Sequence, residues 1–138
     1  MDRTDEAGAV AAAEYFMELY HYVLVSGDTY GWTQQTVAGS CEFCAAVAEQ
    51  STADSAEGLQ IRLPPFEVNS VHLRGFDSTF RIHAVELTYS TAGGQVIDGS
   101  GTPVDVINAD EGTLLLDLGR APQGWELVGA QRIVGGSA

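Results

Sequence analysis

The stretch Phe16-Met-Glu-Leu-Tyr-His-Tyr-Val-Leu24 decides the fold, because it carries the clearest helical periodicity in the chain. Its apolar residues recur at spacings that place them on one face of an α-helix: Phe16, Leu19, Tyr20 and Val23, with Met17 and Leu24 widening the stripe. No proline interrupts the surrounding sequence, so the pattern predicts one long helix over Glu6–Ser26.

Two shorter helices are predicted after the first one. Gly27 is a plausible stop for the first helix, and Asp28 is a candidate N-cap for a second helix that extends to about Val37. Ser40 can cap a third helix from Cys41 to about Thr52. The residues expected to face inward from this third helix are Phe43, Cys44 and Val47.

The second half of the chain alternates apolar and polar residues, which is typical of strands. The predicted strands are Glu67–Phe76, Thr79–Ser90, Gly112–Gly119 and Trp125–Val134, with a short extended piece at Gln95–Ile97. Asp77-Ser78 forms the first turn, and the remainder of Ala92–Glu111 is predicted to be a long connection. Helices followed by a mostly antiparallel sheet indicate an α+β fold, in one domain over 1–138 with loose tails at 1–5 and 135–138.

The composition argues against two classes of partner. The chain has 19 acidic residues against 6 arginines and no lysine, and its formal net charge is −13. Such a chain repels nucleic acids and anionic membranes. The lack of lysine suggests a GC-rich genome or a halophile. No apolar run reaches the length of a membrane span, and no signal segment opens the chain.

Several short motifs together resemble a known family. These are Ala13-Glu-Tyr-Phe16, Tyr20-His-Tyr22, Ser26-Gly-Asp28, Ser40-Cys-Glu-Phe-Cys44 and the late Gly124-Trp125. The order of features resembles the cone-shaped α+β roll of the nuclear transport factor 2-like superfamily, also called the SnoaL-like or cystatin-like roll. More narrowly, it resembles a family of uncharacterised actinobacterial Cys-x-x-Cys proteins, many of which are predicted lipoproteins.

The resemblance implies a fold and a compartment but no catalytic residues. It implies three N-terminal helices packed on a curved sheet, and a location outside the cytoplasm, either secreted or lipid-anchored. The signal and lipobox of such lipoproteins do not occur in this sequence, so a membrane association through a lipid anchor rests on the resemblance alone.

The two cysteines, Cys41 and Cys44, allow three interpretations. A zinc site needs four ligands, and neither a second cysteine pair nor a closely spaced histidine pair is present. A redox pair normally follows a strand of a βαβ unit, although a helix N-terminus would lower the thiolate pKa. A structural disulfide is favoured, because residues three apart on a first helical turn can come within bridging range. Such a bridge persists in an oxidising compartment.

A roll of this kind has an opening between its helices and its sheet, where large side chains could form a ligand pocket. The candidate pocket residues are Tyr15, Tyr22, Trp32, His83, Tyr89, Asp117 and Trp125. Among them, Asp117 and His83 lie on predicted strands and could meet as an acid–base pair. Asp28 fits an N-cap better than a base, and the acidic residues between Asp98 and Glu111 lack calcium-loop spacing.

Two functions of different classes follow from these residues. The first is a non-catalytic extracytoplasmic domain that binds a protein partner or a small apolar ligand, with no cofactor and no metal. The alternative is a small isomerase, cyclase or dehydratase that uses His83, Asp117 and a tyrosine of the first helix. The outer face of the sheet could also support a homodimer, because Thr79–Ser90 and Gly112–Gly119 carry apolar residues on both faces.

The disulfide interpretation is tested by the mass of native protein. We expect non-reducing mass spectrometry to give a mass two hydrogens below that of the dithiol. Because the closed loop is very short, removing the bridge with the double substitution Cys41→Ser and Cys44→Ser should cost only about 1–2 kcal/mol of unfolding free energy. A fully reduced pair in protein from its native compartment would contradict both the bridge and the compartment.

Overall fold

The structure, a computed structural model, describes residues 6–37, 39–121 and 124–133. Three helices come first in the chain: α1 (Glu6–Ser26), α2 (Tyr30–Gln35) and α3 (Glu42–Ala56). Seven strands follow within the described part: β1 (Gln60–Arg62), β2 (Glu67–Asp77), β3 (Ile82–Thr91), β4 (Gly94–Ile97), β5 (Pro103–Ile107), β6 (Asp110–Ala121) and β7 (Gly124–Arg132).

The strands form two antiparallel sheets. The larger one, called the core sheet here, has the order β2-β3-β6-β7, and the smaller one has the order β1-β4-β5. All strand pairs in both sheets are antiparallel. The predicted α+β class is therefore confirmed.

Helix α1 supplies the central packing surface and has the predicted bounds. Three alanines, Ala9, Ala12 and Ala13, are completely buried on it, and Phe16 and Val23 are buried further along the same face. Because alanine side chains are short, the helix backbone can approach the sheet closely at its N-terminal half. Within the described residues, no helix is both long and apolar enough to span a membrane.

The core sheet buries one of its faces against α1. Strand β3 contributes Val85 and Leu87, and β6 contributes Leu114, Leu116 and Leu118, each of them buried. The pairing brings Val85 opposite Leu116 and Leu87 opposite Leu114, so these side chains form adjacent rows on one face. Burying each such side chain contributes about 1.5–3 kcal/mol relative to leaving it in water.

Both short helices begin one residue later than predicted, with different caps. The N-cap of α2 is Thr29, and Asp28 lies just outside, where its Oδ1 accepts from the Tyr30 N–H at 3.1 Å. The N-cap of α3 is Cys41, whose Sγ accepts from the Cys44 N–H. Ser40 instead donates its hydroxyl to the Val128 carbonyl at 2.6 Å, which joins the segment before α3 to β7.

Strand β3 begins at Ile82, three residues after the predicted start at Thr79. The Asp77 carboxylate accepts from the N–H groups of Thr79 and Phe80, and Arg81 adopts a φ of 56°. This local hydrogen bonding makes a tight turn out of residues whose apolar side chains, notably Phe80, suggest a strand.

The predicted long connection over Ala92–Glu111 is wrong, although its extended piece at Gln95–Ile97 is confirmed as part of β4. The segment is a hairpin of β4 and β5, and β1 pairs with β4 on the other side. Asp98 organises the turn, since its Oδ1 accepts from the N–H groups of Ser100 and Thr102. A turn rich in glycine and aspartate between very short strands has the composition of a loop, which is why the sequence pattern missed it.

The core is tested by truncating Leu118, which is fully buried on β6. Leu118→Ala should lower the free energy of unfolding by about 2–5 kcal/mol, because the lost methyl groups leave a cavity. Val104→Ala on β5 is the control; its side chain is 54% exposed, so the loss should stay below about 0.5 kcal/mol. Chemical denaturation measures both, and equal losses would contradict the assigned core.

Candidate functional site

The cysteines form a disulfide at the beginning of α3, as predicted. The Cys41 and Cys44 sulfurs are bonded, with a Cα–Cα distance of 5.2 Å, and both side chains are buried. The bridge holds the N-cap residue to the first helical turn, so it fixes where α3 starts. Such a bond is compatible with an oxidising, extracytoplasmic compartment.

Beside the bridge lies a group of five rings, called the aromatic cluster here: Tyr20, Trp32, Phe43, Phe66 and Tyr89. Tyr20 is its centre, with ring centroids 5.3 Å from both Phe43 and Phe66 and 6.0 Å from Trp32. The Trp32 Nε1–H donates to the Cys44 carbonyl at 2.9 Å. The cluster therefore connects α1, α2, α3 and the core sheet through side chains near the bridge.

The Tyr20 hydroxyl lies in an environment that disfavours its charged form. Burial raises the pKa of Tyr20, and the nearby Tyr89 phenol raises it further, while Arg132 acts in the opposite direction. Tyr20 is therefore a neutral phenol at physiological pH. It can contribute an apolar ring and a hydroxyl to a site.

A groove of about 450 Å³ runs between α1, α3 and the segment that leads into β1, and it is called the α1–α3 groove here. Its apolar lining consists of Tyr20, Leu24, Val25, Phe43, Ala46, Val47, Leu59 and Ile61. Its polar lining consists of Ser26, Gln50, Ser51, Asp54, Ser55 and Gln60, with Gly27 completing the set. The volume and the mostly apolar wall are typical of small-molecule sites.

Several polar groups of the groove are occupied by local contacts. The Ser51 hydroxyl donates to the Val23 carbonyl at 3.4 Å, and Gln50 Nε2 donates to the Asp54 carboxylate at 2.9 Å. Gly27 has a φ of 73°, and a Cβ there would lie 2.6 Å from the Ser55 hydroxyl oxygen. Glycine is therefore required where α1 ends against α3, both for the backbone conformation and for the close approach.

The predicted pocket residues do not converge on this groove. None of the seven lines it; the aromatic groove residues are Tyr20 and Phe43 instead. Tyr15 accepts a hydrogen bond from Gln35 Nε2 at 2.7 Å, and Tyr22 is 47% exposed and donates to Asp28 at 2.8 Å. The predicted pocket residues therefore do not form one site.

The other predicted residues are divided between the core and the outer surface. Trp32 is buried in the aromatic cluster and does not cover an opening, and Tyr89 packs edge-on against Phe66. Trp125 is buried at the start of β7, and its ring centroid lies 5.2 Å from that of His83. Asp28 accepts from the Tyr30 N–H and from the Tyr22 hydroxyl, and these bonds lower its pKa.

The predicted acid–base pair of His83 and Asp117 does not form. Strand β3 pairs with β6 so that His83 lies opposite Leu118 and Ala84 lies opposite Asp117. Successive side chains of a strand point to opposite faces, so His83 lies on the core face and Asp117 on the outer face. The sheet itself separates the two groups, and the enzyme hypothesis loses the pair on which it depended.

Tyr20 and the groove were missed because the sequence gives no direct sign of a gap between elements. Tyr20 and Leu24 belong to the apolar stripe of α1, which the periodicity assigned to packing. Both sit near its C-terminal end, and both line the groove. An aromatic residue at the end of a stripe was the one available signal.

The comparisons with known proteins show similarity in structure alone. No protein-family model matches the sequence, and no curated protein is significantly similar to it in sequence. Several solved structures do match. One is the intermembrane space region of the chloroplast protein ARC6, with a TM-score of 0.68 and 12% sequence identity, over 95% of this chain and 98% of that chain. At this identity the match supports a shared fold.

The buried imidazole of His83 predicts a dependence of stability on pH. Its Nδ1 has no hydrogen-bond partner in the described part of the chain, and burial lowers the pKa of His83. The unfolded chain therefore takes up the proton first, at about pH 6.5. The stability that neutral His83 provides is complete above that pH and is lost as the pH falls through the lower pKa of the folded state.

Urea unfolding between about pH 7 and pH 5 measures this effect. His83→Phe keeps a ring against Phe76 and Trp125 and cannot be protonated, so it should lose less stability than the wild type over this range. His72→Gln, on the exposed outer face, is the matched control and should keep the wild-type slope. If His83→Phe follows the wild-type curve, the burial argument fails.

Proposed function

We propose that this protein is a non-catalytic, extracytoplasmic binding domain that takes a small apolar ligand in the α1–α3 groove. The observation that carries the proposal is the groove itself. It combines about 450 Å³ of space with a wall that includes Leu24, Phe43 and Val47. The expected ligand is mainly hydrocarbon, with one or two polar atoms.

The chemistry of the wall supports a ligand of low charge. Asp54 is the acidic residue of the lining, and its carboxylate already accepts from Gln50. The Ser55 hydroxyl and the Gln60 amide can orient a polar end of the ligand, while the apolar wall supplies most of the binding energy. The net charge of −13 disfavours an anionic ligand such as a fatty acid.

The proposed location is outside the cytoplasm, with the protein secreted or lipid-anchored. The Cys41–Cys44 bridge supports this, because disulfides are rare where thiols are kept reduced. The resemblance to actinobacterial Cys-x-x-Cys proteins with predicted lipoprotein members points the same way.

We also propose that the fold is a nuclear transport factor 2-like roll. Support comes from the order of three helices and an antiparallel sheet of four strands, with α1 packed on one face of that sheet. An experimental structure with a strongly curved core sheet would support this assignment.

The groove is tested with a neutral apolar fluorophore, N-phenyl-1-naphthylamine, whose emission rises in an apolar site. We expect saturable binding to the wild type. Ala46→Phe places a ring in the groove from an exposed position of α3, so it should weaken binding at least tenfold. Fluorescence titration gives both dissociation constants.

Ala53→Phe is the matched control for this titration. Ala53 is also exposed on α3 but does not line the groove, so the substitution has the same cost in helix propensity and should leave binding unchanged. Equal binding by the Ala46→Phe variant and the wild type would refute the groove as the ligand site. Absence of saturable binding to the wild type would do the same.

A further inference from the structure

One row of side chains crosses the whole core sheet on its outer face. Gly75 pairs with Ala84, Ala84 with Asp117, and Asp117 with Gly129, so the four strands contribute one residue each. Three of the four have a methyl group or no side chain. The row therefore forms a trough in the sheet surface. Asp117 is the residue of the row that carries a charged side chain.

The trough is part of a concavity of about 960 Å³ on the outer face. Its lining residues are Ser40, Gly75, Phe76, Asp77, Ser78, Ile82, Ala84, Asp117, Val128 and Gly129. None of them lines the α1–α3 groove, so the two sites are separate. Ile82 and Val128 give this concavity apolar surface, and Asp117 belongs to the same lining. Phe76 belongs to it too, but its ring packs against His83 on the core face.

The Asp117 carboxylate has no partner of its own. It accepts no side-chain hydrogen bond and forms no ion pair with any residue that the structure describes, whereas Asp77 at the rim accepts from the Thr79 and Phe80 N–H groups. Burial raises the pKa of Asp117, so its negative charge is incompletely solvated. A cation placed beside it would replace the missing solvation and stabilise the charged form.

We propose that this outer concavity, called the Asp117 trough, binds a small organic cation: a primary ammonium with a short apolar body. The ammonium would donate to the Asp117 carboxylate, and the body would lie on Ile82 and Val128. Gly75 matters because it leaves space for the ligand, whereas a Cβ at Gly129 would lie 3.1 Å from Asp117 Oδ2. A Cβ added to Gly75 would meet no atom within 4 Å.

The negative charge of the protein favours a cationic ligand in the Asp117 trough over an anion, a second copy of the chain or a neutral apolar molecule. The chain has a net charge of −13, so an anion is repelled from the trough and attraction favours a cation. A second copy of the chain would bring the same negative charge to the same face, which disfavours self-association there. A neutral apolar molecule would leave the Asp117 carboxylate desolvated and unpaired, at a cost in binding.

The test is a titration of the full chain with cyclohexylammonium, followed by amide chemical shifts at about pH 8, where aspartate is ionised and the amine is protonated. The Gly75, Ala84 and Gly129 amides are the reporters, because they lie along the trough. We expect saturable shifts at these amides. Cyclohexanol, which has the same ring without the charge, should give none there.

Two variants locate the binding. Asp117→Asn removes the charge and should weaken cyclohexylammonium binding at least tenfold, while Asp105→Asn, an equal loss of charge on exposed β5, should not change it. Gly75→Leu fills the trough and leaves Asp117 intact, so it should also abolish the shifts. Shifts that persist in Asp117→Asn, or that cyclohexanol reproduces, would overturn the proposal, as would the absence of saturable binding to the wild type.

Discussion

The structure depends on the contact between the alanine-lined face of α1 and the leucine-lined face of the core sheet. Ala9, Ala12 and Ala13 are fully buried, and they meet a sheet face on which Leu116 and Leu118 are buried too. Short side chains on the helix allow the branched side chains of the sheet to pack close to its backbone. Further along α1 the small residues give way to Tyr20 and Leu24, and the helix surface becomes part of a groove.

A second constraint decides where α3 begins, and with it the shape of that groove. The Cys41–Cys44 bridge closes the first turn, and the Trp32 indole donates to the Cys44 carbonyl from α2. Ser40 meanwhile bonds the Val128 carbonyl of β7. The start of α3 is therefore held by both α2 and the sheet. Its later turns meet the end of α1 through the Ser51 hydrogen bond to Val23 and the close approach of Ser55 to Gly27. The bridge contributes little stability for so short a loop, and its main effect is positional.

The two faces of the core sheet have different chemistry because side chains alternate along each strand. On β3, His83, Val85 and Leu87 face the helices, while Ala84 faces outward. On β6, Asp117 faces outward between two buried leucines. A mostly apolar groove on the helix side and a trough with an unpaired carboxylate on the outer side can thus exist in one small domain. The same alternation rules out a direct contact between His83 and Asp117.

The sequence by itself determined those elements that depend on interactions between residues close together in the chain. Helix α1 has the predicted bounds because its periodicity is strong, and the cysteine pair lies where residues three apart can bridge. The β4–β5 hairpin was missed because its strands are short and its turn is rich in glycine and aspartate, a composition typical of loops. Both candidate sites needed the tertiary structure. The groove is a gap between helices distant in sequence, and the register of β3 and β6 alone sets which face carries Asp117. Periodicity reveals which residues share a face, but only packing reveals what that face meets.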